Sequence, residues 1–369
     1  MASSLSPGRG TFERPRNRFD KQHTEADEHS ASGLWSDDGN GSEVIPLPAG
    51  SAVRVRTTEV VDASRSILAE NTSPDIPFRF SVNPYRGCEH GCIYCYARPS
   101  HEMLGFDAGL DFETRIQVKH NAPALLRAAL ARPSWQPETI ALSGNTDCYQ
   151  PLEDSLRLTR ACLEILAEAR NPTSVITKSA LVTRDLDVLG ELARHGAVQV
   201  RISLTTLDPA LARKMEPRAA SPGRRLDAIS RLRSAGIPVG VMIAPVVPGL
   251  TDEEIPALLR AARGAGAGAA SWTLLRLPPP VDQLFADWLE RMLPERRQRI
   301  LSRIRATREG ALSDSTFGRR MRGNGIYAEQ IGALFRSCAR RAGLDRPLPA
   351  LDASHFRRPS ADSRQLRLF

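Results

Sequence analysis

Along residues 78–277, short apolar, β-branched runs alternate with longer amphipathic stretches. The runs are Phe78–Val82, Thr139–Leu142, Ser174–Thr177, Val198–Leu204, Val239–Ala244 and Ser271–Leu277, all of strand length. Between them Ala122–Ala131, Leu156–Ala169, Asp185–Ala193, Arg224–Ala235 and Glu253–Ala265 carry apolar residues at helical spacing. Gly196, Gly236 and Gly266 follow helices at points where a left-handed cap is wanted. Strand–helix alternation of this regularity predicts an α/β fold with a parallel sheet and helices outside it. The repeat count predicts a partial (βα)6 barrel, with a flat doubly wound sheet as the alternative. In both, functional residues belong at the C-terminal ends of strands. Past residue 281 the pattern turns helical, over Val281–Leu293, Glu295–Arg308 and Tyr327–Ala342.

This divides the chain into a disordered or loosely docked tail over 1–70, a core barrel over 75–290, a helical extension over 291–345 and a C-terminal tail over 346–369. The first stretch is rich in Gly, Ser, Asp, Arg and Pro without apolar period. Arg9, Arg14, Arg16 and Arg18 interleave there with Phe12 and Phe19, which reads as a floppy basic tail before it reads as a nucleic-acid contact. Of the 369 residues, 41% are hydrophobic, enough for a sizeable core. No apolar run has the length of a membrane span, and the N-terminus lacks the apolar centre of a signal peptide. These features read as a cytoplasmic protein. The net charge of +8 is concentrated in the C-terminal part, from Arg296 to Arg341. Charge alone does not separate a polyanion binder from a protein with solvated Arg-rich helices.

Six cysteines, three of them clustered, are too few and too uneven for a secreted disulfide framework, and in a reducing compartment such a cluster points to metal or redox chemistry. Cys88, Cys92 and Cys95 follow the first predicted strand as Cys-x3-Cys-x2-Cys, on a loop containing Gly87 and Gly91. Thiolates select iron–sulfur clusters or zinc. Three thiolates hold three irons of a cubane and leave the fourth open to a small molecule. The zinc alternative takes His90 or the distant Cys148 as its fourth ligand.

The run Cys88-x3-Cys92-Ile93-Tyr94-Cys95 resembles the signature of the radical S-adenosylmethionine (SAM) superfamily. The wider pattern is similar to its spore photoproduct lyase-like, or DNA repair photolyase-like, branch, and most of all to an uncharacterised bacterial subgroup of it. The resemblance covers about residues 75 to 345 and is carried by Ser143–Pro151, Thr177-Lys178-Ser179, Arg201–Leu204, Glu216-Pro217-Arg218 and Ala244–Gly249, each after a predicted strand. It implies a 4Fe–4S cluster on Cys88, Cys92 and Cys95, whose open iron chelates SAM. Reductive cleavage of SAM by an external one-electron donor then yields a 5′-deoxyadenosyl radical that takes hydrogen from the substrate. It also implies SAM contacts at Ser143, Gly144, Asn145, Lys178 and Ser203, with strand-end polar groups satisfied by loops as the bland alternative. Tyr94 and Tyr96 resemble a hydrogen-relaying tyrosine pair, or loop aromatics packed around the cluster. Cys148 is a candidate hydrogen donor, although it stands after Asp147 where the lyase has its cysteine before the aspartate; a buried core thiol is the alternative.

The end of the chain, Gln365, Leu366, Leu368 and Phe369, resembles the short peptide that holds the bacterial sliding clamp. With the basic C-terminal region and the lyase resemblance, it makes nucleic acid the candidate partner and a nucleic-acid base or lesion the candidate substrate. A radical SAM enzyme modifying a protein or small metabolite is the enzymatic alternative, since a fold does not fix a substrate. A nucleic-acid-associated metal-binding module without turnover is the third.

Overall fold

The structure is a computed structural model, and it describes residues 8–11, 13–19 and 55–360. Strands β1 (Thr58–Val61), β2 (Leu68–Glu70), β3 (Phe80–Val82) and β4 (Tyr85–Arg86) come first. The cysteine loop, α1 (Leu110–Thr114) and β5 (Arg115–Val118) follow. The alternating part then runs α2 (Ala122–Ala131), β6 (Ile140–Leu142), α3 (Glu153–Leu156), α4 (Leu158–Ala169), β7 (Thr173–Thr177), α5 (Leu186–Arg194) and β8 (Val198–Ser203). It continues with α6 (Pro209–Met215), α7 (Pro222–Ser234), β9 (Val239–Val246), α8 (Ile255–Gly264) and β10 (Ala270–Leu274). Helices α9 (Val281–Met292), α10 (Pro294–Ala306) and α11 (Gly325–Arg341) follow among the described residues, where the sequence pattern turns helical past residue 281.

The main sheet has seven strands in the order β10-β9-β8-β7-β6-β3-β2, and all but the antiparallel edge strand β2 run parallel. The order never reverses, so right-handed crossovers put every connecting helix on one face and the sheet curls. A doubly wound sheet needs a reversal point. The fold is therefore the partial (βα)6 barrel. A second sheet, β1-β5-β4, stands beside it and carries the cysteine loop.

Side-chain size follows the pleat. Val82, Ile140, Leu142, Val175, Val198, Val200, Ile202, Val239, Val241 and Ile243 join the main core with Leu126, Leu163, Leu189, Ile229 and Leu258 of the helices. The alternate positions, which face the barrel interior, include the small Ser81, Ala141, Ser174, Gly240 and Ser271 beside the longer Ile176, Gln199, Arg201 and Met242. Large β-branched residues thus fill the layer under the helices, while the interior face mixes small residues with long ones.

Parts of both stretches read as tails are docked on the barrel, residues 8–11 and 13–19 at one end and 346–358 at the other, while 20–54 and 361–369 lie outside the described residues. Residues 8–19 hold Arg9, Thr11 and Asn17 in buried positions. The Gly10 N–H donates to the Glu113 carboxylate at 2.8 Å, and the Asn17 amide donates to the Glu102 and Phe106 carbonyls at 2.8 and 3.1 Å. A Cβ on Gly10 would stand 1.8 Å from the Gly91 carbonyl oxygen, so only glycine packs here against the cysteine loop. At the other end, residues 344–358 run across the N-terminal ends of the strands. The Ala270 N–H donates to Leu344 O at 2.9 Å, Asp352 N–H to Gly196 O at 3.0 Å and Arg357 N–H to Ala169 O at 2.9 Å. Gln199 donates to the Pro349 carbonyl, and Leu348 lies over Gly240 and Gly268. This strap covers the lower end of the barrel. The terminal peptide Gln365, Leu366, Leu368 and Phe369 lies outside the described residues.

Candidate active site

The cysteine loop leaves β4 at the upper end of the barrel and is fixed almost wholly through its backbone. The Cys88 N–H donates to Phe112 O at 2.8 Å and the Ile93 N–H to Met215 O at 3.0 Å. Gly87 and Gly91 have φ of 83° and 66°, left-handed values that suit glycine. Arg98, which is fully buried, donates to Cys92 O at 3.1 and 3.0 Å, to Gly109 O at 2.8 Å and to Glu113 Oε1 at 2.5 Å. One guanidinium therefore ties the loop to the segment that also receives residues 8–19. From the barrel side, Gln150 accepts from the Glu89 N–H at 2.9 Å and donates to Gly87 O at 3.2 Å, while the Thr146 hydroxyl donates to Tyr85 O at 2.6 Å. Asp107 and Asp111 serve the turn into α1, with Asp107 accepting from the Gly109 N–H at 2.8 Å.

All three cysteines are free thiols, Cys88 and Cys92 buried and Cys95 half-buried. Burial, then Asp147, Cys92 and Cys95, pushes the Cys88 thiol well above its ordinary value. Burial, then Glu216, pushes Cys92 up to about 12. Thiols so placed become ligands when a soft metal takes the place of the proton. Among the described residues no three His, Cys, Asp or Glu side chains converge on a single ion, which is the arrangement a zinc cage needs. A cubane is wider than one ion and spaces its thiolates apart. His90 is turned to Asp147, 3.4 Å from its Nδ1, and Asp147 also accepts from the Thr177 hydroxyl and the Lys178 N–H. Cys148 belongs to the main core under the helices, its carbonyl held by Thr159 at 2.6 Å. His90 lies within the loop but its ring is engaged by Asp147, and Cys148 is in the core, so the donor set of three thiols fits a cluster with one open iron.

The predicted SAM residues line the rim of β6, β7 and β8. Ser143 has a φ of 72°, strained for a non-glycine residue, and its Oγ accepts from the Cys148 N–H at 2.8 Å. Gly144 is required by the close approach of Ser81, whose Cβ would be 2.7 Å from an added Cβ. Asn145 is spent on Asn83 and Ser100, at 3.0 and 3.2 Å. Lys178 is half-buried at the end of β7, and its ammonium makes no hydrogen bond or ion pair among the described residues. Ser203 is buried, with its carbonyl accepting from Arg225 at 3.1 Å.

The two tyrosines separate. Tyr94 is buried, donates to the Glu216 carboxylate and stands 3.3 Å from the Thr205 hydroxyl, with Lys178 5.9 Å from its ring. Burial, then Glu216, pushes its pKa well up, so it is a neutral donor. Burial alone would raise the Glu216 carboxyl, but Arg225 and then Lys178 outweigh it and hold it at about 2. Glu216 thus pairs with Arg225, and Arg218 with Glu89 at 3.0 Å. Tyr96 instead is 46% exposed, donates to Gly144 O at 3.3 Å and lies under the Arg276 guanidinium at 5.1 Å. Only Tyr96 presents its ring to the mouth. Cys148 is 1% exposed and shares the helix side of the sheet, away from the barrel interior. The sequence reading missed Arg98, Gln150, Arg225 and Arg276, because each works through a partner remote in the chain. The apolar face of α7 around Arg225 was the one available signal.

Fold and thiol set together define a partial-barrel protein with a soft-metal site at its mouth. The sequence pattern of the Radical SAM superfamily matches residues 82–262. An uncharacterized protein of Mycobacterium tuberculosis is 40% identical over 277 residues, covering 74% of this chain and 78% of that protein. A radical SAM Nα-GlyT isomerase of Pseudomonas phage M6 is 25% identical over 271 residues, 70% of this chain and 53% of that protein. Spore photoproduct lyase complexed with dinucleoside spore photoproduct has a similar fold, with a TM-score of 0.57 at 16% identity over 81% of this chain and 85% of that one. The chain belongs to the radical SAM superfamily, whose members use a 4Fe–4S cluster and SAM and need an electron donor. Among the described residues no helix is long and apolar enough to cross a membrane.

Proposed function

We propose that this chain cleaves SAM reductively at a cluster held by Cys88, Cys92 and Cys95 and acts on a nucleic-acid base or lesion. The observation that carries the reaction class is the set of three thiols on a backbone-fixed loop beside the unpaired Lys178 ammonium. When bound and reduced, the cluster and SAM supply a 5′-deoxyadenosyl radical for hydrogen abstraction. Lys178 is suited to a carboxylate such as that of SAM, because its ammonium makes no direct ion pair among the described residues and still has its donors to offer. Ser143, Gly144 and Asn145 form the β6 rim, where the Gly144 backbone allows close approach. Ser203 closes the rim at β8. Tyr94, held neutral by Glu216, shapes the floor, and Tyr96 is the aromatic hydroxyl in the mouth. We assign hydrogen relay to Tyr96, and not to Tyr94 or Cys148, from exposure alone.

Two things support nucleic acid as the substrate. The similar fold of spore photoproduct lyase binds a dinucleoside spore photoproduct, and the mouth here is rich in cationic groups, with Lys178, Arg276 and Arg320 around Tyr96. A reducing cytoplasmic setting suits an oxygen-sensitive cluster. The test is anaerobic: reconstitute the protein, reduce it with dithionite, and quantify 5′-deoxyadenosine with and without ultraviolet-irradiated DNA. Release stimulated by irradiated DNA supports the reading. Release unchanged by any nucleic acid favours a protein or metabolite substrate, and no release under either condition removes the nucleic-acid reading.

A further inference from the structure

Two side chains at the mouth are left over by everything above. Arg276, just past β10, is half-buried and has no ion pair among the described residues; its contacts are the Tyr96 ring at 5.1 Å and Met321 Sδ at 3.7 Å. Asp75 lies within electrostatic reach of Arg276 but is bound by Arg320, so the partly dehydrated guanidinium keeps donors that an anion would complete. Phe317 is 54% exposed, an aromatic ring facing solvent on the loop that joins α10 to α11.

The loop is not free to fold the ring away. The Arg320 guanidinium lies 4.6 Å from the Phe317 ring and is itself held by Asp75, with Nε 2.7 Å from Oδ2. The buried Arg308 then joins the two features. Its guanidinium donates to Leu275 O at 2.6 Å, next to Arg276, and to the Arg319 and Arg320 carbonyls at 3.0 Å, next to Phe317. Arg276 and Arg320 lie within electrostatic reach of each other and of Tyr96. One fixed rim therefore presents an unpaired guanidinium, an exposed aromatic face and the mouth tyrosine together. A cation beside a planar apolar face is the arrangement that receives a phosphate and its base.

We infer that this rim holds one nucleotide of an unpaired DNA strand, its phosphate on Arg276 and its base on Phe317. The inference rests on the nucleic-acid reading above and gives that reading a residue-level site. A flat ring open to solvent stacks on any base, so the rim grips the strand without reading sequence, and the neighbouring nucleotide is the one directed to Tyr96.

The test is fluorescence anisotropy of a short fluorescein-labelled oligothymidylate with the reconstituted, SAM-bound protein over a sodium chloride series. Arg276→Gln is expected to weaken binding roughly tenfold and to reduce the slope of log affinity against log salt by about 0.7, the loss of one single-strand phosphate contact. Phe317→Ala is expected to weaken binding roughly tenfold with the slope unchanged, and Phe317→Trp to restore it. Iron content and the thermal midpoint report whether each variant is folded; if Arg276→Gln loses iron, the Phe317 pair carries the test. Wild-type binding with both variants equal to it at every salt overturns the rim and leaves the nucleic-acid reading standing. No binding by the wild type overturns both.

Discussion

At the lower end of the barrel the polar groups are consumed, and at the upper end some are left over. Below, Gln199, Asp352, Arg357 and the Leu344 carbonyl are taken up in the strap, and Leu348 fills the space above Gly240. Above, the fully buried pairs Arg98–Glu113 and Arg225–Glu216 hold the cysteine loop and Tyr94, but Lys178 and Arg276 make no direct ion pair among the described residues, although Glu216 and Asp147 lie within electrostatic reach of Lys178 and Asp75 within reach of Arg276. The buried pairs cost desolvation and return it as fixed geometry. These two cations rest on the Tyr94 and Tyr96 rings and keep donors that a ligand can use. One end is built for stability and the other spends stability on a site.

The comparison is sharpened by substitutions at each end. Cys92→Ala should abolish 5′-deoxyadenosine release and lower iron content, the largest effect, measured by chromatography and iron analysis. Glu113→Gln should cost about 3 kcal/mol, because Arg98 is then buried without its counter-ion, and urea unfolding reads it. Leu348→Ala should cost about 2 kcal/mol in the same assay while the affinity for SAM stays as it was, since the strap at the lower end is remote from the mouth. Lys178→Met should do the reverse, raising the KM for SAM roughly tenfold with little change in the unfolding midpoint. A Leu348 variant that lost SAM affinity, or a Lys178 variant that lost only stability, would break the division.

The smallest effect is a pH dependence. His101 is buried against Gly87 and Phe112 in the segment behind the cysteine loop, with Nε2 3.0 Å from the Arg115 carbonyl oxygen. Burial lowers its pKa from 6.5 to about 4. The unfolded chain takes up a proton below about 6.5 and the folded chain does not until about 4, so stability falls as pH falls through that window. Between pH 6.5 and 5.5 the loss should be about 1 kcal/mol, and His101→Gln should remove this part of the slope.

The strands and helices of the barrel were legible because short β-branched runs, their largest residues mostly on the helix side, alternate regularly with amphipathic stretches. The cysteine loop was legible because ligand spacing is local. The straps at 8–19 and 344–358 were not: Gly10, Asn17 and Gln199 attach through hydrogen bonds and close backbone approach, which leave no apolar pattern. Cys148 illustrates a second limit. Its place after a strand was clear, but which face of the sheet its thiol joined depends on the turn set by Ser143 at positive φ. Arg98 and Gln150 read as ordinary loop residues because their partners, Glu113 and the Gly87 and Glu89 backbone, become neighbours only in the fold.

The central claim is that three thiols hold a cluster whose remaining iron is open to SAM. Electron paramagnetic resonance of the reconstituted, dithionite-reduced protein, recorded before and after addition of SAM, tests it most directly. The account predicts a reduced 4Fe–4S signal that shifts when SAM is added, and no such signal in Cys92→Ala. A cluster signal indifferent to SAM, or a protein that holds zinc and takes up no cluster, would contradict it.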